Sequence, residues 1–349
     1  MTEITTGELD AAELLARATA AVAARWPQAR LSELEPLPGG ISSLTFAAWL
    51  QEAADPAGDE RRRVVVKVAP PGLAPVRNRD VLRQARLMRA LDAVPGVRVP
   101  EILAEQDGSP PLFVMELVAG DAYEPQWDAA TTPPPPDVVE RRVLAAATML
   151  GHMHVPAPAS VGLGAEPMLT ADAELERWGR LFGTVGDDLR GEERRLYEAL
   201  RQRWPEPVAP RIIHGDYRLG NLQFADDSLR AIIDWELWSV GDPRFDLAWL
   251  VVFGDPVIER ATGRDAANRA AGAAMPSADA VVGAYEQVRP HASRELDWFI
   301  AAGYYKLAST MSALAKRNRR APDPDPTLER AAQTLAPAIE RGLEVLGGG

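Results

Sequence analysis

Asp234 stands thirteen positions after Asn221, and the residues between them, LQFADDSLRAII, form two short apolar runs around an acidic turn. A gap of this length and composition folds back on itself: residues 222–225 make one strand, 230–233 the other, and 226–229 the turn. A register centred between Asp227 and Ser228 sets Asn221 opposite Asp234, so an amide oxygen and a carboxylate meet at the open end of one hairpin. Asp216 lies just upstream, in HGDYRLGN at 214–221. Hard cations such as magnesium take oxygen ligands from one or two side chains and leave room for phosphate oxygens. A further carboxylate can orient a substrate hydroxyl and accept its proton during phosphoryl transfer. The pattern therefore nominates Asp216 as base and Asn221 and Asp234 as metal ligands. A lone Asp or Asn in a loop commonly only caps or turns the backbone; several residue types in one spacing ask for more.

The 349 residues suffice for two or more packed cores. A formal net charge of -12 disfavours general nucleic-acid binding, which needs a basic face for the phosphates, so nucleic acid is not an expected partner. The chain has no cysteine, which excludes disulfides, thiol nucleophiles and Cys-ligated zinc. MTEITTGELD lacks the basic start and apolar run of a signal peptide. Apolar stretches such as LAWLVVFG fall short of the roughly 18 residues of a membrane span. The expectation is a cytoplasmic protein with no membrane partner.

Residues 8–25 read as an amphipathic helix with Leu14, Leu15, Ala18 and Val22 on one stripe. LPGGISSLTFAAWL (37–50) reads as a turn between two strands, and RVVVKVAP (63–70) as a strand with one lysine in an apolar run. VLRQARLMRAL (81–91) is helical, and ILAEQD and PLFVMELVAG supply two more strands. The first third is thus β-β-α-β-β after a leading helix. Beyond the proline-rich TTPPPP, helices are expected at 138–154, 171–203, 245–253, 277–288, 293–316 and 327–346.

HGDYRLGN and IIDWELWSVGDPRFDLAWL resemble the catalytic loop and metal-binding segment of the aminoglycoside phosphotransferase and choline kinase group. DWELWSVGDPRFDLAWL and WFIAAGYYKLASTMSALAKR are most similar to the phosphotransferase domains related to those fused to some acyl-CoA dehydrogenases. The resemblance implies an α+β, bilobal protein-kinase-like fold. A small antiparallel-sheet nucleotide-binding lobe would occupy 1–118, and a larger helical catalytic and substrate-binding lobe 119–349. It implies ATP, with GTP as the alternative, and Mg2+. Lys67 would hold the nucleotide phosphates, and the PGGISS turn, with Gly39, Gly40, Ser42 and Ser43, would cover them. FVMELVAG looks like a hinge: Met115 would line the adenine pocket, with the Glu116 carbonyl and Val118 amide pairing with the adenine edge. The resemblance also has Asp246 brace the catalytic loop, although Asp242 and Asp246 read locally as caps of the following helix.

One departure stands out. Kinases pair the strand lysine with a helix glutamate; here the helix offers Gln84, with Asp80 a turn earlier, as partner for Lys67. A nucleotide-binding pseudokinase acting as sensor or scaffold is therefore the alternative to a small-molecule kinase. Only seven residues separate Asp234 from Asp242, too few for the activation segment on which protein kinases seat a peptide. The acceptor is thus a small hydroxylated molecule: an aminoglycoside, an amino-alcohol or a hydroxyacyl compound. Trp235, Trp238 and Trp249 suit a core more than an aromatic box, and His152 and His154 suit a helix end more than a metal site.

Overall fold

The structure, a computed structural model, describes residues 10–37, 43–51, 61–261 and 263–347. The chain forms two compact units, Met1–Ala119 with Arg230–Trp238, and Gly120–Leu229 with Ser239–Gly349. In the first, β1 (Arg30–Pro36), β2 (Leu44–Gln51), β3 (Arg61–Val68), β4 (Ile102–Gln106) and β5 (Leu112–Glu116) pair antiparallel in the order β1-β2-β3-β5-β4. Side chains alternate along a strand. Val64, Val66 and Val68 of β3 join Phe46, Ala48 and Leu50 of β2 and Leu112 and Val114 of β5 in one core. Helix α1 (Ala11–Ala23) closes that core with Leu14, Ala18 and Val22, spaced one turn apart, and Asp10 caps it by accepting from the Ala12 and Glu13 amides. Burying each leucine or valine of this set contributes about 1.5–3 kcal/mol.

Lys67 belongs to the other parity of β3, and its register partners are Thr45 and Phe113, while Val65 pairs with Met115. The lysine and Met115 therefore share the sheet face opposite α1. Helix α2 (Val81–Asp92) packs on β4 and β5 and buries Gln84, Leu87, Met88 and Leu91. Three strands precede α2, one more than expected. The added strand, β1, carries RLSELEP at the sheet edge and buries only Leu31, so its alternation never shows as an apolar period.

The second unit is mainly helical: α3 (Pro136–Met153), α4 (Ala171–Phe182), α5 (Glu193–Arg201), α6 (Arg244–Val252), α7 (Ala266–Ala273), α8 (Ala278–Glu286), α9 (Leu296–Arg319), α10 (Pro326–Glu329) and α11 (Leu335–Gly347). Helix α9 packs against α4, α5, α6 and α11 and is apolar nearly all round, as a central helix must be. The α+β expectation holds. The span 171–203 is two helices rather than one, broken around Gly183 and Gly186. Three very short strands, β6 (Met168–Leu169), β7 (Arg211–Ile213) and β10 (Ser239–Gly241), form a second sheet in the order β6-β10-β7. Among the described residues no helix is long and apolar enough to cross a membrane.

The hairpin exists, with a tighter turn than expected. Its strands are β8 (Leu222–Ala225) and β9 (Ser228–Ile232), leaving Asp226 and Asp227 between them. Asp226 adopts φ 54°, which a short polar side chain tolerates. Asn221 precedes β8 and Asp234 follows the end of β9, so both lie outside the strands themselves. The start of the ribbon is held by Asp121, whose amide and carbonyl pair with Phe224 and whose carboxylate takes a bidentate grip from buried Arg142 at 2.6 and 3.0 Å.

A buried polar hub fixes the loop between β7 and β8. Asp246, in the first turn of α6, accepts from the His214 amide at 2.6 Å and the Gly215 amide at 2.9 Å. Its carboxylate also meets His154 Nε2 at 3.4 Å, and His154 Nδ1 lies 3.0 Å from the Tyr285 hydroxyl. Asp246 thus braces the loop and does not cap its helix; the capping reading survives only for Asp242, which accepts from the Arg244 amide at 3.0 Å. Burial alone would push Asp246 up, but His154, His214 and the amides hold its carboxyl below the usual range. Burial lowers His154, and Asp246 only partly offsets it.

Two outcomes follow from this packing. Gly120 has φ 149°, and a Cβ there would overlap the Phe224 carbonyl oxygen; Gly120→Ala is expected to destabilise the chain by more than about 2 kcal/mol in urea unfolding. His154 is neutral in the fold and gains a proton more readily when unfolded. Its contribution is therefore complete above the ordinary histidine pKa of about 6.5 and is lost as pH falls through that value towards the lower folded one. His154→Gln should flatten the loss of unfolding free energy between pH 7.5 and 5, and an unchanged slope would contradict this assignment.

Candidate active site

In the first unit, Lys67 is buried and its ammonium lies 3.5 Å from Asp234 Oδ1. Asp234 has φ 61° and ψ 57°, a left-handed conformation that costs a non-glycine residue about 1–3 kcal/mol and is held by its surroundings. Trp235 fixes the exit from β9 by donating to the Ile232 carbonyl at 3.0 Å. Trp238 takes the Arg83 guanidinium over its ring at 3.7 Å, and its carbonyl accepts from the same arginine at 3.1 Å. Both tryptophans are core residues. The expectation for the lysine's partner needs correction. Gln84 donates to the Asn78 carbonyl at 3.3 Å, and Asp80 is spent capping α2 through the Arg83 amide at 3.0 Å. The charge beside Lys67 is Asp234.

Of the residues expected to cover phosphates, Gly39, Gly40 and Ser42 lie outside the described residues. Ser43 is buried, with a hydroxyl that has no protein partner among the described residues. Met115 is half-buried on the Lys67 face of β5. Glu116 ends that strand with its amide donating to the Glu101 carbonyl at 2.9 Å, and Val118 follows, half-buried and outside the sheet.

In the second unit, HGDYRLGN forms a tight loop. Gly215 takes φ 83°, and the Asp216 amide reaches back to His214 Nδ1 at 3.2 Å. The single turn Leu219–Asn221 then swings Asn221 back onto Asp216, where its Nδ2 donates to Oδ2 at 2.8 Å and to the backbone carbonyl at 2.9 Å. With Nδ2 so engaged, the amide oxygen of Asn221 faces the other way. Asp216 Oδ1 accepts from the Trp249 indole at 2.7 Å, and Arg218 Nε lies 3.4 Å from Oδ2. Burial would raise the Asp216 pKa, but Arg218, Lys306, the indole and His214 outweigh it, so the carboxyl stays below the usual aspartate range and ionised.

Three of these neighbours escape a reading of spacing. Trp249 was expected in the core; it is buried, and its polar edge serves Asp216. Lys306, in the middle of α9, donates to the Gly215 carbonyl and lies 3.7 Å from the Trp249 ring centre. Its signal was a lysine inside the apolar run WFIAAGYYKLAST, in a chain with three lysines. Glu124 is fully buried and ties the loop from outside, accepting from the Gly220 amide at 3.0 Å and from Arg218 at 3.4 Å. Burial exceeds these favourable terms and pushes its carboxyl up to about 7.

Among the described residues no three His, Cys, Asp or Glu side chains form a metal cluster. A kinase site does not need one: an amide oxygen and a carboxylate, with phosphates supplying the rest, suffice for magnesium. Asn221, with its amide oxygen turned away from Asp216, and Asp234, with a partly exposed carboxylate, have that donor chemistry.

Comparison with known proteins follows the same lines. The sequence model of the phosphotransferase enzyme family matches residues 33–291, well over half of the chain. Human acyl-CoA dehydrogenase family member 11 is 25% identical over 302 residues, 80% of this chain but 37% of that protein, so the chain spans less than two-fifths of that relative. A provisionally assigned aminoglycoside phosphotransferase from Ralstonia eutropha has the same fold, with TM-score 0.69 at 21% identity over 91% of this chain and 93% of that one. The aminoglycoside phosphotransferase APH(2'')-IIa, in its ternary complex with streptomycin and ATP, matches with TM-score 0.53 at 19% identity over 86% and 90%. With its catalytic-loop motif and its antiparallel sheet preceding a helical unit, this chain belongs to the phosphotransferase enzyme family.

Proposed function

We propose that this protein transfers the γ-phosphoryl group of ATP to a hydroxyl of a small molecule. Residues 1–118 serve nucleotide binding in this reading, and 119–349 serve catalysis and acceptor binding. The observation that carries it is the Asp216 carboxylate, kept ionised and gripped on both oxygens by Trp249 and Asn221 in a loop braced by Asp246. In the reaction the acceptor oxygen bonds to the γ-phosphorus, the bond from that phosphorus to the β,γ-bridging oxygen breaks, and ADP leaves. The acceptor proton passes to Asp216, whose Oδ1, engaged by Trp249 alone, retains a lone pair, whereas Oδ2 already takes Asn221 and Arg218. An acidic base suits this chemistry, because a loose transition state needs the hydroxyl oriented early and deprotonated late. Lys67 and Ser43 hold phosphate oxygens, and Met115, Glu116 and Val118 receive the adenine. Asn221 and Asp234 would hold magnesium, which when bound neutralises charge on the phosphates. An arriving nucleotide gives Lys67 phosphate partners to replace Asp234.

The acceptor is read from the second unit. The side chains around Asp216 are Arg218, Lys306, Trp249 and, beneath the Arg218 guanidinium at 5.3 Å, Phe253. The nearby acids are Glu124, buried with its carboxyl pushed up to about 7, and Asp128, which accepts from the Glu124 amide at 2.7 Å. With Arg218 paired to Glu124 and Asp216, the aromatic faces of Trp249 and Phe253 favour an acceptor with an apolar part, such as a hydroxyacyl derivative, over a polycationic aminoglycoside.

Transfer of label from γ-labelled ATP, screened over hydroxyacyl thioesters, hydroxy acids, amino-alcohols and aminoglycosides, tests the reaction and the acceptor class together. Binding of ATP with no transfer to any of them would point instead to a pseudokinase. Asp216→Asn should lower kcat by roughly 10²–10⁴-fold while nucleotide still binds; undiminished turnover would remove the base. Asp234→Ala should abolish the magnesium dependence of ATP affinity measured by calorimetry, and an unchanged magnesium titration would remove that ligand.

A further inference from the structure

Asp216 Oδ1 has its hydrogen bond from a residue outside the catalytic loop. Trp249, on α6, donates its indole N–H at 2.7 Å, 33 positions along the chain from Asp216. The indole is itself held. The Lys306 ammonium lies 3.7 Å from its ring centre and 5.3 Å from that of Trp178, and donates to the carbonyl of Gly215, the residue before Asp216. Phe253 packs edge-on to Trp249 with ring centres 4.8 Å apart. Lys306 lies beyond the residues 33–291 that the family model matches. A buried ammonium is costly unless it is paired, and two of its partners, the Gly215 carbonyl and the Trp249 ring, bear directly on the Asp216 carboxylate.

We propose that Trp249 and Lys306 are positioning residues for phosphoryl transfer: the indole N–H fixes the rotation of the Asp216 carboxylate, and Lys306 locks the indole and the backbone of Gly215 together. The pair acts as a strut from α6 and α9 to the base, complementing the grip of Asn221 on Oδ2. Without it the carboxylate still has Asn221 but can rotate about its χ2, and the oxygen aimed at the acceptor loses its fixed direction. This deepens the assignment of Asp216 as base and rests on it.

The test uses the full chain and two readouts. Trp249→Phe keeps an aromatic ring for Lys306 and deletes the N–H together with the pyrrole half of the buried indole. It should lower kcat about ten- to hundredfold, the scale of one hydrogen bond to a charged group, with KM for ATP within about twofold; the lost ring volume lowers the thermal midpoint, so kcat is read well below it. Lys306→Met should give the same kcat-selective loss. In an Asp216→Asn background Trp249→Phe should cost nothing further. A full additional loss there, or a loss that tracks the thermal midpoint, would overturn the proposal. The second readout needs no turnover: the chain has nine tryptophans, and the indole N–H resonance missing in Trp249→Phe should shift and lose exchange protection in Asp216→Asn and in Lys306→Met. An indole signal indifferent to both substitutions would end the proposal even if Asp216 proves to be the base. Conversely, a shifted signal in a chain whose Asp216→Asn variant turns over normally would leave the strut intact and remove the base.

Discussion

One buried carboxylate, Asp246, holds the 214–221 loop in shape. It sits in the first turn of α6 and takes the amides of His214 and Gly215, which no strand or helix satisfies. Backbone amides left unpaired inside a protein are expensive, so the loop could not pass through the core without such an acceptor. The same carboxylate needs compensation for its own burial, which His154 and the amides provide. The brace and the loop are therefore mutually required: removing either leaves the other with buried polar groups and no partner.

From that brace the rest of the second unit's chemistry is set by direction. Gly215, at φ 83°, turns the chain so that Asp216 leaves the hub with its carboxylate towards Trp249 and Asn221. Glu124 then closes the loop from its far end through Gly220 and Arg218. The Glu124 carboxyl, raised to about 7, shows what burial does without enough compensation. Asp216 shows the opposite balance, because two cations and an indole N–H outweigh its desolvation. Two acids bridged by one arginine are thus driven apart in proton affinity by their surroundings, an arrangement typical of functional sites.

What was legible in the sequence was local. HGDYRLGN carries its own geometry, since Asp216, Asn221 and the glycines lie within one turn-rich stretch. The alternation of Val64, Val66 and Val68 likewise places Lys67 on the opposite sheet face without any tertiary knowledge. What was not legible depends on distant residues or on weak periods. Trp249 and Lys306 reach Asp216 and Gly215 across 33 and 91 positions, and no spacing rule links them. The partner of Lys67 lies 167 positions away, whereas the local rule looked for it on α2. Helix α7, AANRAAGA, is built of small residues with little apolar contrast, and β6, β7 and β10 have two or three residues each, too few to show a period. The hairpin turn was misplaced because Leu229 was assigned to it; its side chain is buried with Ala231, and the strand claims it.

The choice of cation at position 306 fits the role argued for it. Basic residues in this chain are overwhelmingly arginine, and only positions 67, 306 and 316 are lysine. An arginine prefers to present a planar fork to a carboxylate or phosphate, and its width demands room. The site at Lys306 offers a single carbonyl and the faces of two indoles. A compact point charge satisfies all three at once, because it donates along one direction and meets the aromatic faces from others. A fork placed there would seek a second acceptor; burial lowers the Lys306 pKa, and the negative charge of nearby Asp216 offsets only part of that. Lysine keeps the cation beside the indole and off the carboxylate, so Asp216 is stabilised by the charge while its oxygens are left to Trp249, Asn221 and Arg218.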